Sequence, residues 1–283
     1  MDIIKVGFQG VRGAYSEIAC NNIFNNIIDK VSYNSFIDVI EALINKKINY
    51  GVIPIANSIA GRVSEVHNIL LAYNNIYIVK EYFQKIDHKL LVINDSVKLE
   101  DIQNVYSHPQ ALMQCSRFIN KMNYNPINSA NTAIAAKNLF LNKNINDAVI
   151  GSSLSAELYD LVILKDNISN NKNNYTNFIV LANKEENLDC DNSNDYITTL
   201  IMEIDNKAGS LYKSLGFFAD NKINLLQLES YIPTGYSDKA SFLLTILGHY
   251  KSDYISNVLN ILKNEKVFVK ILGSYKYDPN RGI

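Results

Sequence analysis

Cysteine and arginine are both scarce in this 283-residue sequence, and each scarcity excludes something. The three cysteines, Cys20, Cys115 and Cys190, are odd in number and far apart, without a CxxC spacing. That rules out a disulfide framework or a zinc ribbon. Cys20 and Cys115 fall on apolar helical faces, so buried free thiols in a reducing cytoplasm are expected. No stretch approaches the roughly 18 apolar residues of a membrane span, and no basic-then-apolar leader opens the sequence. A formal net charge of -1 leaves no basic excess for a nucleic acid. Among 27 basic residues only Arg12, Arg62, Arg117 and Arg281 are arginines, in a composition rich in Asn, Ile and Lys that reads as AT-rich coding. Each arginine therefore merits separate consideration.

A hydrophobic content of 47% is ample for packed cores, and the length suits about two domains. Up to residue 183, apolar runs of strand length alternate with amphipathic helical patterns. Strands are expected at 3–8, 50–55, 76–81, 90–93, 104–106 and 148–150, and helices over 109–122, 132–141 and 153–159. This alternation implies an α/β domain with a largely parallel sheet. Polar composition at 184–195 marks a linker. Residues 196–276 read strand, helix, strand, strand, helix, strand, the ferredoxin-like βαββαβ order. So small a domain leaves an edge and a face to be satisfied, which points to self-association.

Polar residues gather where strands give way to loops, the place where open α/β folds bind ligands. The richest stretch is Asn173-Asn174-Tyr175-Thr176-Asn177-Phe178, ahead of the apolar run Ile179-Val180-Leu181. Its amides and hydroxyls suit hydrogen bonding to a small polar molecule, and no base lies nearby to make a nucleophile. Gly10-Val11-Arg12-Gly13 is either an anion-wrapping turn or a plain one. Asn57 and Ser58 follow a buried strand and are either helix caps or ligand contacts. Ser107-His108-Pro109-Gln110 opens a helix, with His108 read as structural or substrate-bounding in preference to an acid–base group. Asn131 and Thr132 begin another helix and suit capping, ligand binding or both.

Taken together, these segments resemble the prephenate dehydratase family. The resemblance rests on Phe8-Gln9-Gly10-Val11-Arg12-Gly13-Ala14-Tyr15-Ser16-Glu17, Pro54-Ile55-Ala56-Asn57-Ser58, Ser107-His108-Pro109-Gln110-Ala111-Leu112 with Gln114-Cys115, and Asn174-Tyr175-Thr176-Asn177-Phe178, in the family's order. Ser155-Ala156-Glu157-Leu158-Tyr159 is similar to the family's alanine-rich helix. Gly209-Ser210-Leu211-Tyr212 and Leu228-Glu229-Ser230-Tyr231 resemble its regulatory ACT domain. The resemblance implies a two-lobed periplasmic-binding-type catalytic domain over 1–183, followed by an ACT domain over 196–276. It implies conversion of prephenate to phenylpyruvate with loss of water and carbon dioxide, without metal or organic cofactor. Thr176 is then the donor to the leaving hydroxyl. Asn57, Ser58, Arg62, Gln110, Thr132, Asn177 and Phe178 form the substrate shell. L-Phenylalanine is the effector, bound through Gly209, Ser210, Leu211, Glu229 and Ser230, and the assembly is a homodimer or homotetramer.

The sequence departs from the family at Ala56, usually Glu, at Asn177, usually Arg, and at Asn131, often Ser. Losing a charge-assisted contact at 177 removes ~1.5–3 kcal/mol. Arg62, with Arg12 as second candidate, is the expected replacement cation. The effector motif Glu-Ser-Arg-Pro stands here as Glu229-Ser230-Tyr231. Two further readings keep the fold and change the substrate or the chemistry: arogenate dehydration, and decarboxylation without aromatisation, against which Thr176 argues. Another, of a different class, is an inactive sensor of aromatic amino acids, for which Ala56 and Asn177 speak.

Overall fold

The computed structural model describes residues 3–25, 28–186, 195–231 and 238–281. Residues 187–194 of the expected linker, Cys190 among them, lie outside the described residues. Two mixed sheets and one antiparallel sheet organise the chain.

The first lobe contains β1 (Lys5–Gln9), α1 (Tyr15–Phe24), β2 (Asp29–Tyr33), α2 (Phe36–Ile44), β3 (Tyr50–Asn57), β4 (Gly61–Arg62), α3 (Ser64–Ala72) and β5 (Tyr77–Lys85). The second contains β6 (Lys89–Val92), β7 (Asn104–Ser107), α4 (Pro109–Gln114), α5 (Ser116–Met122), β8 (Asn125–Asn128), α6 (Thr132–Asn142), β9 (Asp147–Gly151), α7 (Ser153–Leu158) and β10 (Val162–Lys165). The chain then returns to the first sheet as β11 (Tyr175–Ala182), giving the orders β2-β1-β3-β11-β5 and β10-β6-β9-β7-β8. Because the chain crosses between lobes twice, the sheets are mixed where a largely parallel one was expected. β11 runs antiparallel to both β3 and β5, and β6 to both β9 and β10.

Local chemistry explains the elements. A capping box starts α2: Ser35 Oγ accepts from the Asp38 N–H and Asp38 Oδ2 from the Ser35 N–H. Its apolar stripe Val39, Ile40 and Leu43 is fully buried. The helix expected over 109–122 breaks at Cys115. Asn170, on the segment returning to the first lobe, enters the break. Its N–H donates to the Gln114 carbonyl, its Nδ2 to the Met113 carbonyl, and its Oδ1 accepts from the Arg117 N–H. A side chain inserted into the helical ladder is a recognised cause of a kink. Here it also delivers Gln114 to the lobe junction. Cys20 and Cys115 are buried free thiols, both pushed up to about 12 chiefly by burial.

The third sheet comprises β12 (Tyr196–Asp205), β13 (Leu225–Tyr231), β14 (Lys239–Leu247) and β15 (Phe268–Lys276), with α8 (Ser210–Asp220) and α9 (Asp253–Asn264). Its order β13-β14-β12-β15 is antiparallel throughout, as a βαββαβ unit requires. One face, with Leu200, Met202 and Ile204, packs on α8 and α9. The other, with Ile197 and Ile201, joins the core beneath α2 and α3. The face expected to await a second molecule is thus covered within the chain. β15 crosses β5 so closely that a Cβ on Gly273 (φ +153°) would lie 2.1 Å from the Ile78 carbonyl oxygen. Lys270 Nζ donates to the carbonyls of Leu70, Leu71 and Tyr73 where α3 ends, satisfying acceptors the helix leaves open. No described helix is long and apolar enough to cross a membrane.

Candidate active site

A cleft of about 810 Å³ lies between the two lobes. The ends of β3 and β11 bring Asn57, Thr176 and Phe178 to it, and β4 brings Arg62. Across the cleft, the starts of α4 and α6 contribute His108, Gln110, Asn131 and Thr132. Arg62 is the single Lys or Arg among the described residues lining this space, and no carboxylate lines it. The cleft therefore suits an anion held mostly by neutral donors.

The hydrogen-bond network fixes how Thr176 is presented. Asn57 Oδ1 accepts from the backbone N–H groups of Ile59 and Ala60, at 3.0 and 2.9 Å. Backbone donors cannot be exchanged for acceptors, so the amide orientation of Asn57 is determined. Its Nδ2 must face Thr176 Oγ1 at 3.0 Å and Asn174 Oδ1 at 2.8 Å, with the Tyr175 carbonyl at 3.1 Å. Thr176 Oγ1 is consequently an acceptor toward Asn57. Its own proton, without an acceptor among the described residues, remains available to a molecule in the cleft.

The same logic runs onward. Asn174 is fully buried, and its Nδ2 donates to Gln114 Oε1 at 3.0 Å. Gln114 Oε1 being an acceptor, His88 Nε2 at 2.8 Å must carry a proton. His88 Nδ1 then faces the Tyr15 hydroxyl at 3.3 Å, whose single proton goes to the nearer Asp87 carbonyl at 2.8 Å. Burial, partly opposed by the bond to Gln114 and the Asp87 charge, lowers the His88 pKa and keeps the ring neutral. Its contribution to stability is fully present above the unfolded-state value near ~6.5 and is lost as pH falls through the depressed folded value. His88→Gln should therefore lose less melting temperature than the parent between about pH 7 and pH 5. Thermal unfolding over a pH series checks this, and parallel curves would refute it.

Several expected site residues lie elsewhere. On β11, Thr176 and Phe178 face the cleft, while Asn177 faces the other side and lines a second cavity. Asn177 pairs in register with Ala56 on β3, so two of the three departures from the family pattern are neighbours on one face. A register shift between Asn177 and Phe178 leaves Ile55 unpaired, a bulge beside the cleft of the kind that re-aims side chains. Ser58 also leaves the cleft: its Oγ accepts from the Tyr175 N–H and donates to the Asn173 carbonyl, tying two loops together. Phe178 is 2% exposed and is mainly core. His108 Nδ1 caps the Gln110 N–H, and Asn131 Oδ1 caps Ile134. Gln110 and Thr132 line the cleft without side-chain hydrogen bonds to described residues.

The turn at 10–13 is tied within the chain: Gly13 N–H donates to Glu17 Oε2, Gly10 N–H to the Tyr33 carbonyl, and Gly13 O accepts from Ser152 and Ser155 across the lobes. Arg12 does not line the cleft. Of the residues expected to hold an effector, Gly209 (φ +83°), Ser210 and Leu211 open α8. On β13 the Glu229 side chain reaches the first lobe, 3.0 Å from His67 Nε2, and the backbone carbonyl of Ser230 accepts from Arg62 Nη1 at 2.6 Å. The adjacent His67, ahead of the opposing effect of burial, lowers the Glu229 pKa. Sequence reasoning did not find the roles of His88, Tyr15 and Asn174. Tyr15 and Asn174 stand within the segments that carry the family resemblance, whereas His88 carries no signal.

The family model described as prephenate dehydratase matches residues 6–186. A bifunctional N-acyl-homoserine lactone acylase/prephenate dehydratase of Komagataeibacter europaeus is 31% identical over 276 residues, covering 98% of this chain and 97% of that one. A chloroplastic arogenate dehydratase/prephenate dehydratase 2 of Arabidopsis thaliana is 32% identical over 285 residues, covering 97% and 73%. A prephenate dehydratase of Arthrobacter aurescens solved with L-Phe superposes with a TM-score of 0.87 at 22% identity, covering 97% of this chain and 90% of that one, a likeness of fold.

Proposed function

The chain belongs to the prephenate dehydratase family, and on that premise we propose that it converts prephenate to phenylpyruvate in the cleft between its lobes. The observation that carries this is the fixed amide of Asn57, which takes a lone pair of Thr176 Oγ1 and leaves its proton for substrate. Prephenate holds a ring carboxylate, a side-chain carboxylate and a ring hydroxyl that must depart. As the bond to the ring carboxylate breaks, its electron pair enters the ring and carbon dioxide leaves. The carbon–oxygen bond breaks in concert, and the departing oxygen leaves as water once it has taken a proton. A hydrogen bond from Thr176 stabilises the charge growing on that oxygen. Aromatisation supplies the driving force, so one well-placed neutral donor suffices.

Arg62, Gln110, Thr132 and the open N–H groups at the start of α6 suit the side-chain carboxylate. With no other Lys or Arg lining the cleft among the described residues, Arg62→Ala should raise KM for prephenate about tenfold or more, from the loss of a charge-assisted bond. An unchanged KM would remove Arg62 from the substrate shell. Asn177 lines the cavity on the other side of β11, so Arg62 is read as the substrate's cation independently of position 177.

The C-terminal βαββαβ unit is read as an ACT domain sensing L-phenylalanine through Gly209, Ser210, Leu211, Glu229 and Ser230 in a cytoplasmic homodimer or homotetramer. The first two lobes are read as the periplasmic-binding-type catalytic domain, and the reaction class is a carbon–oxygen lyase. Arogenate is the alternative substrate, differing by an amine where prephenate has a ketone. One assay tests the reading: purified protein with prephenate, following phenylpyruvate absorbance in alkali with and without L-phenylalanine. A dihydro product without an aromatic chromophore would indicate simple decarboxylation, and phenylalanine binding without turnover would indicate a sensor.

A further inference from the structure

Arg62 lines the cleft, yet it is fastened from outside it. Its backbone belongs to the first lobe: Gly61 pairs in register with Asn57 and Arg62 with Ala56, and the Val63 N–H donates to the Ile55 carbonyl at 2.9 Å. Its side chain reaches the third sheet, where Nη1 donates to the Ser230 carbonyl at 2.6 Å. A guanidinium carries five N–H donors in a planar fork, and the other four make no hydrogen bond to described residues. One prong is thus anchored on β13 while the rest of the fork stays open to a molecule in the cleft.

The anchor is itself held. Glu229, the residue before Ser230, extends to α3, where its Oε2 lies 3.0 Å from His67 Nε2. Gln227 Nε2 donates to Glu229 Oε1 at 2.8 Å and fixes the carboxylate from the sheet side. His67 is 4% exposed, and its Nδ1 stands 3.1 Å from the Val63 carbonyl, which can only accept, so Nδ1 carries a proton. Nε2 and Oε2 are both buried without a hydrogen bond, so charge decides whether they hold together. A ring bearing its second proton attracts the carboxylate, and a bare nitrogen would repel it. Val63 directly follows Arg62, so β13 grips this segment twice: at the guanidinium and, through His67, at the next residue.

We propose that the third sheet positions the substrate's cation: β13, clasped to α3 by Glu229 and His67, presents the Ser230 carbonyl that holds Arg62 at the cleft before substrate arrives. Glu229 and His67 are then positioning residues that act through Arg62. The inference rests on the reading of Arg62 as partner of the side-chain carboxylate. An exposed arginine gives up rotamer freedom when it meets an anion, and an anchored one has given it up already, so anchoring lowers KM. The device works with no effector bound, which separates it from the sensing of L-phenylalanine.

Steady-state kinetics of the full chain with prephenate, without L-phenylalanine, test this in Glu229→Ala, His67→Leu, Arg62→Ala and the two doubles that contain Arg62→Ala. Glu229→Ala and His67→Leu should each raise KM by about threefold to tenfold and leave kcat within about twofold. Added to Arg62→Ala, neither should raise KM by more than about a further factor of two, because the side chain they position is gone. A merely structural role would multiply with the loss of Arg62. The two variants reach the contact from different elements, so if one misfolds the other decides. Parental or lowered KM in both, with KM raised in Arg62→Ala, would overturn the inference and leave the dehydratase reading standing, as would effects that multiply in the doubles. If Arg62→Ala keeps the parental KM, Arg62 leaves the substrate shell and the inference falls with it.

Discussion

Thr176→Val should lower kcat for prephenate by roughly 10²–10³-fold while leaving KM within about a factor of three, because the hydroxyl acts on an oxygen that gains charge only as its bond breaks. Valine matches threonine in shape and keeps the β-branch that β11 favours, so the strand and the register with Asn57 persist. Asn57 loses one acceptor, yet its Nδ2 retains Asn174 Oδ1 and the Tyr175 carbonyl. The fold should therefore lose no more than about 1 kcal/mol. Thr176→Ser, which restores a hydroxyl, should recover activity to within about tenfold of the parent. Steady-state rates for the three proteins decide the matter. A Thr176→Val enzyme turning over at the parental rate would remove Thr176 from the chemistry. A fall shared by the valine and serine variants would point to disturbed packing.

The sequence carried Thr176, Gln110 and Thr132 because each stands where a strand meets a loop or a helix begins, positions that local residue type marks. It carried α8 and α9 because their apolar stripes bury on a sheet and obey helical spacing. Direction across a strand was another matter. The family resemblance puts Asn177 in the substrate shell beside Thr176, but adjacent residues of β11 point to opposite faces. The bulge at Ile55, which aligns Ala56 with Asn177 and Asn57 with Thr176, exists only once β3 and β11 pair, 117 or more residues apart in sequence. The break at Cys115 was hidden likewise, since helical periodicity reports a buried face and not an asparagine arriving from residue 170. His88 carried no motif at all. The proton on its Nε2 follows from a chain of amides that tertiary structure assembles.

Arg281→Ala should destabilise the protein by about 3 kcal/mol, the largest stability effect expected of any single change here. Glu81 lies on β5 with 1% exposure, and Arg281 meets both of its oxygens through Nε and Nη2, the closest contact being 2.6 Å. Such a two-pronged guanidinium–carboxylate pair is strong and geometrically exacting. Its net value against an apolar pair is small, because both charges have left water. Removing one partner differs from removing both: the alanine variant retains a buried carboxylate whose remaining described donor is the Asp278 N–H at 3.2 Å. Arg281→Leu combined with Glu81→Leu should therefore be within about 1 kcal/mol of the parent, although each single leucine variant loses more. The pair joins the segment after β15 to the first lobe, next to the close crossing of Gly273 over Ile78. Its loss should be read out as weakened docking of the third sheet, with faster proteolysis near residue 278 accompanying the lower melting temperature. Denaturant unfolding of the four proteins closes the double-mutant cycle. A coupling energy near zero would mean that the pair is solvated in practice and that apolar contacts of β12 and β15 with the first lobe hold the units together.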